Sequence, residues 1–242
     1  MNTYEFVAEW VMTHIAKHPA RVLDYGCGAG RIVGLLRARG ISAFGCDVYY
    51  EGGDYSGDVP DELRSFVRRM EGGVIPFDDE SFDVVVSNQV FEHVPNIDEA
   101  LREIARVLRP GGTALNLFPD ASVWREGHCG IPFLHWFPKG SKLRVYYAAL
   151  GCTVGLGVHK NDKSALQWAR DFCGWLDDWT YYRPANEIQE RFIRAIGDTK
   201  HAEEDWLSAR FNGQLDWLPT MLRRLCVRKA GGMVLVSVRS NP

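Results

Sequence analysis

One stretch of the sequence, residues 21–36, constrains the fold of this chain more than any other. It begins with the apolar pair Val22-Leu23, typical of a buried strand, and continues through three closely spaced glycines, Gly26, Gly28 and Gly30. Apolar residues at helical spacing follow the glycines and predict a helix that packs back on the strand. In open α/β sheets, such a turn presents backbone amides and a helix N-terminus to a ligand. The stretch therefore predicts an α/β fold with a ligand site at this turn.

The spacing of the glycines bears on which ligand the turn binds. A dinucleotide-binding turn, G-x-G-x-x-G/A, needs a small residue at its third position, but here the bulky, charged Arg31 holds that position. Asp24 stands two residues before the first glycine, where its carboxylate suits a cationic ligand better than an anionic pyrophosphate. The pattern Asp-x-Gly-x-Gly-x-Gly resembles motif I of the class I S-adenosylmethionine-dependent methyltransferases. This resemblance implies S-adenosylmethionine as the cofactor, and Arg31 disfavours an NAD-dependent oxidoreductase.

Two further motifs carry the same resemblance. Residues 75–83, Ile-Pro-Phe-Asp-Asp-Glu-Ser-Phe-Asp, are similar to a pattern that the small-molecule branch of the family (methyltransferase type 11-like) carries before its fourth strand. Residues 106–112, Arg-Val-Leu-Arg-Pro-Gly-Gly, resemble another family pattern that precedes a strand. The motifs follow one another in the family's order over residues 20–118. The resemblance implies a Rossmann-like, doubly wound α/β fold with a mostly parallel seven-stranded sheet and an antiparallel last strand.

The last part of the chain departs from a minimal member of that family. Two closing strands are predicted near the end, at residues 224–228 and 233–238, with a hairpin-type connection between them. Every tryptophan except Trp10 lies in residues 119–218, so this segment can bury a core of its own. We therefore expect a single domain over residues 1–242, with residues 119–218 inserted between strands 5 and 6 as a cap of helices and loops.

The cofactor is expected at the carboxyl ends of the first strands. Asp47, at the end of the second predicted strand, lies about twenty residues after the first glycine, where a carboxylate accepts hydrogen bonds from ribose hydroxyls. NAD and S-adenosylmethionine both carry a ribose, so Asp47 does not discriminate between them. The resemblance places Glu71 and Gly72 at the adenine, with Glu71 where Asp is commoner. The predicted cofactor-binding residues are Asp24, Gly26, Cys27, Gly28, Gly30, Asp47, Val48, Glu71, Gly72 and Asn88.

Three histidines are candidates for a catalytic base. The sulfonium of S-adenosylmethionine already activates the methyl group, so the enzyme has to place a nucleophile in line with it and exclude water. If the nucleophile is a hydroxyl, a base with a pKa near neutral helps, and histidine is the natural choice. His93 follows the fourth strand, while His128 and His135 lie in the loop after the fifth. A structural role stays open for each of the three.

The cap segment supplies the candidate acceptor-binding residues. It follows the fifth strand, beside the expected methyl group, and it is rich in aromatic residues. The helical spacing of Trp168, Phe172, Trp175 and Trp179 predicts that this stripe is core rather than a ligand platform. Extra core or a dimer interface are the alternatives for the segment, so a homodimer stays open. The predicted substrate-binding residues are Trp124, Trp136, Tyr182 and Arg183.

No metal ion is predicted to be required. Some quinone-pathway methyltransferases carry Glu-x-x-Glu-His after the fourth strand and use it for a divalent metal. This chain is similar there but has Gln89 at the first position, ahead of Glu92 and His93. The loss of one carboxylate weakens a site for a hard cation. Residues 126–129, Glu-Gly-His-Cys, also offer metal ligands, but their spacing matches no zinc signature.

Composition and charge are those of an ordinary globular protein. The net charge of −3 gives no sign of a nucleic-acid-binding surface. The six cysteines are scattered, and the sequence shows neither a signal peptide nor an apolar stretch as long as a membrane span, which favours a cytoplasmic protein. The predicted function is S-adenosylmethionine-dependent methyl transfer to a small or medium-sized organic acceptor, at oxygen. Methylation at nitrogen or carbon, a macromolecular acceptor, and a non-catalytic cofactor-binding protein of the same fold are the alternatives.

Overall fold

A twisted, mostly parallel sheet forms the centre of the molecule. The computed structural model of the protein describes residues 1–14 and 20–241. Within this part of the chain the sheet has seven strands, in the order β3-β2-β1-β4-β5-β7-β6. These are β1 (Arg21–Tyr25), β2 (Ser42–Asp47), β3 (Val67–Arg69), β4 (Phe82–Asn88), β5 (Leu108–Phe118), β6 (Gly197–His201) and β7 (Met233–Arg239). Strand β7 pairs antiparallel with β5 and β6, and the other neighbouring strands pair in parallel. The predicted fold class is therefore confirmed, including the insertion of the last strand between the fifth and the sixth.

Helices surround this sheet. They are α1 (Thr3–His14), α2 (Arg31–Arg37), α3 (Ile97–Val107), α4 (Lys142–Thr153), α5 (Ala165–Trp179), α6 (Ala185–Ala195), α7 (Glu203–Arg210) and α8 (Thr220–Ala230). The sequence predicts the first helix over residues 3–17, of which residues 15–17 lie outside the described part. Among the described residues, none of the helices combines the length and the apolar character needed to cross a bilayer.

The central strands bury side chains on both faces of the sheet. Val22 of β1 and Val84 of β4 belong to one apolar cluster, which α1 and α2 cover. Leu23 and Val85, the next residues on the same strands, belong to a second cluster on the opposite face, which α3 and α6 cover. Burying each such side chain stabilises the fold by roughly 1.5–3 kcal/mol. Burial on both faces explains why these strands read as continuous apolar runs.

The sixth strand is not where the sequence predicts it. Residues 224–228 lie inside α8, and the strand that pairs with β7 is β6, residues 197–201. Strand β6 is at the edge of the sheet and has the polar sequence Gly-Asp-Thr-Lys-His, so it carries little of the apolar signal of a buried strand. The predicted cap boundaries of 119–218 consequently include β6, which is a strand of the central sheet.

The segment between β5 and α6, residues 119–184, is called the insertion below. Its two helices, α4 and α5, pack against each other and build a third apolar cluster that contains Leu134, Trp168 and Leu176. Trp168 is buried there, as predicted for the aromatic stripe. The end of the insertion contacts the segment after β4, where the amide of Tyr181 donates to the carbonyl of Glu92 at 2.6 Å. The insertion thus has its own core and lies against the carboxyl edge of the sheet.

Candidate active site

The glycine turn between β1 and α2 needs glycine for two different reasons. Gly26, Gly28 and Gly30 all have positive φ, at 74°, 51° and 76°. A Cβ on Gly26 would lie 2.4 Å from the side chain of Val90, so this glycine permits close packing. At Gly28 the nearest atom to an added Cβ is 3.8 Å away, on Tyr55. Gly28 therefore leaves open space beside the backbone, into which a ligand fits.

Two carboxyl groups lie at the ends of β1 and β2, the buried Asp24 and the half-buried Asp47. Asp47 accepts hydrogen bonds from the amides of Gly28 (2.8 Å) and Tyr49 (2.9 Å), which fixes the turn while leaving lone pairs free for ribose hydroxyls. Asp24 is 2% exposed. Burial, and then the charge of Asp47, raises the pKa of Asp24 to about 8. Burial also raises the pKa of Asp47. A cation placed between them would favour the ionised form of both carboxyl groups.

One cavity of about 790 Å³ extends from the glycine turn to the insertion. At its first end it is lined by eight of the predicted cofactor-binding residues: Asp24, Gly26, Cys27, Gly28, Asp47, Val48, Gly72 and Asn88. Among the described residues, Gly30 and Glu71 are outside this lining. Gly30 is the N-cap of α2 and its amide closes the turn onto the carbonyl of Cys27 at 2.8 Å. Glu71 forms an isolated bridge with Val74, beside Gly72.

The second end of the cavity is lined by aromatic and imidazole side chains. Tyr50, His93, His128, Trp175 and Trp179 are all part of this lining. The indole Nε1 of Trp175 donates to the carbonyl of Gly52 at 3.0 Å, and the rings of Tyr50 and Trp179 lie 5.0 Å apart. The core prediction therefore holds for Trp168, and Phe172 and Trp175 are partly buried against the same core. Trp175 also lines the cavity, as does Trp179, because the C-terminal part of α5 reaches it.

His128 is held by a buried carboxylate. Its Nδ1 lies 2.6 Å from the Oε1 of Glu126, which also accepts from the Tyr182 hydroxyl at 2.8 Å, while Oε2 accepts from the amide of Cys129 at 2.8 Å. Burial by itself would raise the pKa of Glu126, but the hydrogen bond and charge of His128, with the other donors, lower it to about 2. Burial opposes protonation of His128, yet the bond to Glu126 raises its pKa overall. Glu126 thus fixes the ring so that Nε2 points away from it.

His93 lies directly beside His128 at the second end of the cavity. The two Nε2 atoms are 3.1 Å apart, and the Nδ1 of His93 lies 2.7 Å from the carbonyl oxygen of Trp179. Burial lowers the pKa of His93 to about 4. The neighbouring Glu92 is 1% exposed, and both of its carboxylate oxygens are without a hydrogen-bond partner in the described structure. Burial raises the pKa of Glu92 to about 7.

The other predicted catalytic and acceptor-binding residues lie outside the cavity lining, within the described part of the chain. His135 packs against Tyr182, with ring centroids 4.5 Å apart. The guanidinium of Arg183 donates to four backbone carbonyls, those of Phe91, Tyr181, Val94 and Pro95, so it joins the insertion to the segment after β4. Tyr182 is linked to His128 only through Glu126, which accepts hydrogen bonds from both side chains. Trp124 and Trp136 are 41% and 54% exposed at the surface.

The structure adds site residues that sequence reasoning placed elsewhere or left without a role. Trp175 and Trp179 belong to the aromatic stripe, and only their position at the end of α5 brings them to the cavity. Tyr50 follows Asp47 in a polar loop that gave no signal of its own. Glu126 stands two residues before His128, a spacing that could have suggested a carboxylate orienting the ring. Each of these roles depends on how the insertion packs against the sheet.

The fold and the turn define a class of protein. A mostly parallel sheet in this strand order, a glycine turn after β1 and carboxyl groups at the ends of β1 and β2 form the cofactor-binding core of a class I S-adenosylmethionine-dependent methyltransferase. Residues 23–116 match the methyltransferase domain family, so this part of the chain is similar to methyltransferases of that class.

Comparison with known proteins agrees with this assignment. The chain is 32% identical over 123 residues to malonyl-(acyl-carrier protein) O-methyltransferase of Methylococcus capsulatus, a match that covers 46% of this chain and 42% of the relative. It is 25% identical over 114 residues to ubiquinone biosynthesis O-methyltransferase of Rickettsia akari, covering 46% and 45%. The matches thus span less than half the length of these curated relatives. Phosphoethanolamine N-methyltransferase 2 of Haemonchus contortus, solved with S-adenosyl-L-methionine, shares the fold at a TM-score of 0.57 and 14% identity, over 99% of this chain and 53% of that one.

Proposed function

We propose that this chain transfers the methyl group of S-adenosylmethionine to an oxygen atom of a small or medium-sized organic acceptor. The observation that carries the proposal is the single cavity that joins the glycine turn to the two facing histidines, His93 and His128. A cofactor at one end and an acceptor at the other would share one cavity. The names of the two curated relatives, both O-methyltransferases, support oxygen as the atom that is methylated.

The first end of the cavity fits S-adenosylmethionine by its chemistry. The open side of Gly28 admits a ligand against the backbone, and Asp47 retains acceptor capacity for ribose hydroxyls. Buried Asp24 suits the cationic methionine part of the cofactor, because a nearby positive charge favours the ionised form of the carboxyl group. When bound, the cofactor supplies an activated methyl group. The chain has to bind it, orient it and keep water away.

The second end of the cavity suits an aromatic or similarly flat apolar acceptor with a polar group. Trp175, Trp179 and Tyr50 provide apolar faces, and His128 provides a nitrogen whose direction Glu126 fixes. Neutral His128 would take the proton of an acceptor hydroxyl as its oxygen attacks the methyl carbon. The bound cofactor would supply the methyl group and keep the electron pair of its carbon–sulfur bond, so that the sulfur of the product would be neutral. The nearby insertion would act as the cap that excludes water from this step.

The proposal is tested by measuring S-adenosylhomocysteine by mass spectrometry after incubating the purified full chain with S-adenosylmethionine and a panel of acceptors. Phenols, aliphatic alcohols and carboxylic acids would be paired with amines of the same skeleton. We expect turnover with at least one oxygen acceptor and a lower rate with its amine partner. Cofactor binding without turnover of any acceptor would favour the non-catalytic alternative, and a consistent preference for amines would move the reaction to nitrogen.

A further inference from the structure

We infer that Glu92, His93 and His128 form a binding site for a divalent transition-metal ion, such as zinc or iron(II), at the acceptor end of the cavity. One potential ligand atom of each residue lies within 4.8 Å of the other two. His93 and Glu92 come from the 3-10 turn Phe91–His93 after β4, and His128 comes from the insertion. The site therefore exists only when the insertion is folded against the sheet.

The hydrogen bonds on the far side of each ring show which nitrogens carry protons. The Nδ1 of His93 is 2.7 Å from the carbonyl of Trp179, which can only accept, so this Nδ1 is protonated. The Nδ1 of His128 is 2.6 Å from the carboxylate of Glu126, so it is protonated as well. In the neutral rings both Nε2 atoms therefore present lone pairs. They point at each other from 3.1 Å, and lone pairs at that distance need a cation between or beside them.

Glu92 provides an independent sign of a cation-binding site. Its side chain is 1% exposed, and neither carboxylate oxygen has a hydrogen-bond partner in the described structure. Glu126, also fully buried, is satisfied by His128, Tyr182 and the amide of Cys129. A buried carboxylate without a partner destabilises the protein, because burial removes its hydration and no hydrogen bond or counter-ion replaces the lost water. A metal ion bound beside the two Nε2 atoms would be the partner that Glu92 lacks.

The surroundings of the site match those of a site for a transition metal. Metal-binding histidines commonly donate their other ring N–H to a carbonyl or a carboxylate, which fixes the ring and its tautomer. His93 does so with Trp179, and His128 does so with Glu126. Two imidazoles and one carboxylate suit zinc or iron(II), whereas magnesium and calcium prefer oxygen ligands. The reasoning from Gln89 against a hard cation does not apply to this ligand set, since His128 supplies the additional ligand from another part of the chain.

A metal here would give the proposed reaction a second way to activate its acceptor. An acceptor oxygen bound at an open position of the metal would lose its proton more easily, as a metal-bound water does. With Nε2 of His128 on the metal, that histidine would no longer act as the base. This consequence rests on the proposed function, because it needs the acceptor at this end of the cavity. The metal site itself needs neither cofactor nor acceptor.

The alternative to a metal ion is a single proton shared by the two imidazoles. A metal-binding measurement distinguishes these two possibilities. Purified full-length protein, dialysed against a chelator, would be titrated with Zn²⁺ by calorimetry and with Co²⁺ by visible absorption, without cofactor or acceptor. We expect one ion per chain and Co²⁺ absorption bands in the visible range. Glu92→Gln and His128→Ala should each weaken binding by at least about tenfold, on the scale seen when groups supporting a metal are removed.

His201→Ala is the matched control, because His201 is also bonded through Nδ1 to a buried glutamate, Glu203, at 2.8 Å, but lies outside the cluster. It should bind metal like the wild type. Thermal melts of each variant report folding, and the isosteric Glu92→Gln keeps the test valid if His128→Ala does not fold. Absence of metal binding in the wild type, or unchanged affinity in both variants, would overturn the inference. Metal binding without methyl transfer would leave the inference standing and count against the proposed function instead.

Discussion

The two ends of the cavity are built in different ways. The cofactor end is formed largely by residues close together in sequence, the glycine turn and Asp47, tied by the 2.8 Å bond from the Gly28 amide. The acceptor end joins distant residues: His93 contacts His128, 35 positions away, and the carbonyl of Trp179, 86 positions away. A local motif fixes the first end, whereas the packing of the insertion creates the second. The comparison teaches that the two ends of the cavity are encoded separately in this chain.

The two ends also differ in charge. The cofactor end has a buried carboxyl group, Asp24, and a half-buried one, Asp47, and loss of hydration raises the pKa of both. The acceptor end pairs one carboxylate, Glu126, with the imidazole of His128, and the pKa of Glu126 falls to about 2 because its hydrogen-bond donors outweigh its burial. A cation is therefore favoured at both ends for different reasons. At the first end it would be the cofactor, and at the second a proton or a metal ion.

The largest effect is expected from a substitution that disrupts the cofactor end of the cavity alone. Gly28→Val should abolish S-adenosylmethionine binding in titration calorimetry, because the new side chain would occupy the open space beside the turn. Gly40→Val is the matched control, since Gly40 also has positive φ, at 80°, and open space around it, but lies outside the cavity lining. Both variants should lose roughly 1–2 kcal/mol of stability from backbone strain. Equal loss of binding in both would show that strain, and not the cavity, explains the result.

A change at the acceptor end should slow the reaction and leave cofactor binding intact. His128→Ala should lower turnover by roughly 10²–10⁴, the usual contribution of a positioned base. Affinity for S-adenosylhomocysteine, measured by calorimetry, should stay near the wild-type value. His135→Ala, which removes a histidine outside the cavity lining, should keep most of the turnover. The base assignment fails if the two variants have the same turnover as the wild type, or if His135→Ala has the larger effect.

Asp47→Ala should have an intermediate effect, confined to binding. Loss of a charge-assisted hydrogen bond to the ribose should weaken cofactor affinity by about 1–3 kcal/mol, or roughly 5- to 150-fold. The variant also frees the Gly28 amide, and Asp47→Asn helps to separate the two roles because it removes the charge and keeps one of the two acceptor oxygens. Turnover at saturating cofactor should change little. Unchanged affinity in Asp47→Ala would contradict the placement of the ribose at this carboxylate.

The smallest expected effect is a pH dependence at the cofactor end. The pKa of Asp24 is about 8 in the free protein, and a cationic cofactor favours the ionised carboxylate, so binding releases a proton. Affinity should therefore rise with pH and level off above the pKa, with binding at pH 7 about tenfold weaker than on the plateau. Asp24→Asn should bind more weakly and without this slope. Stability changes in the opposite direction: because the unfolded carboxyl ionises near 3.9, Asp24 destabilises the fold increasingly from about pH 4 to 8.

The sequence predicted the cofactor end of the cavity better than the acceptor end. Local patterns in the sequence predicted the glycine turn, the strands β1 and β4, and the position of Asp47 at the end of β2. The structure confirms each of these. Strand β6 was missed because an edge strand with the sequence Gly-Asp-Thr-Lys-His needs little apolar surface, and residues 224–228 are helical instead. The stripe on α5 was predicted as core throughout, but the insertion packs so that its last two tryptophans reach the cavity.

The acceptor end could not be predicted for a related reason. The sequence selected histidines by residue type, which found His93 and His128 but could not separate them from His135. Their pairing arises from the fold of the insertion, and no spacing in the chain encodes a contact over 35 positions. The same holds for Arg183, whose charge suggested an anionic acceptor but whose guanidinium is taken up by backbone carbonyls.

A crystal structure with S-adenosylhomocysteine tests the central claim, that one cavity brings cofactor and acceptor together, most directly. The account predicts the ribose hydroxyls on Asp47, the backbone of Gly28 against the ligand, and the sulfur directed toward the end of the cavity lined by His93 and His128. The acceptor volume beside the sulfur should be enclosed by Trp175 and Trp179. A sulfur atom that points away from the two histidines, or a ligand bound outside this cavity, would contradict it.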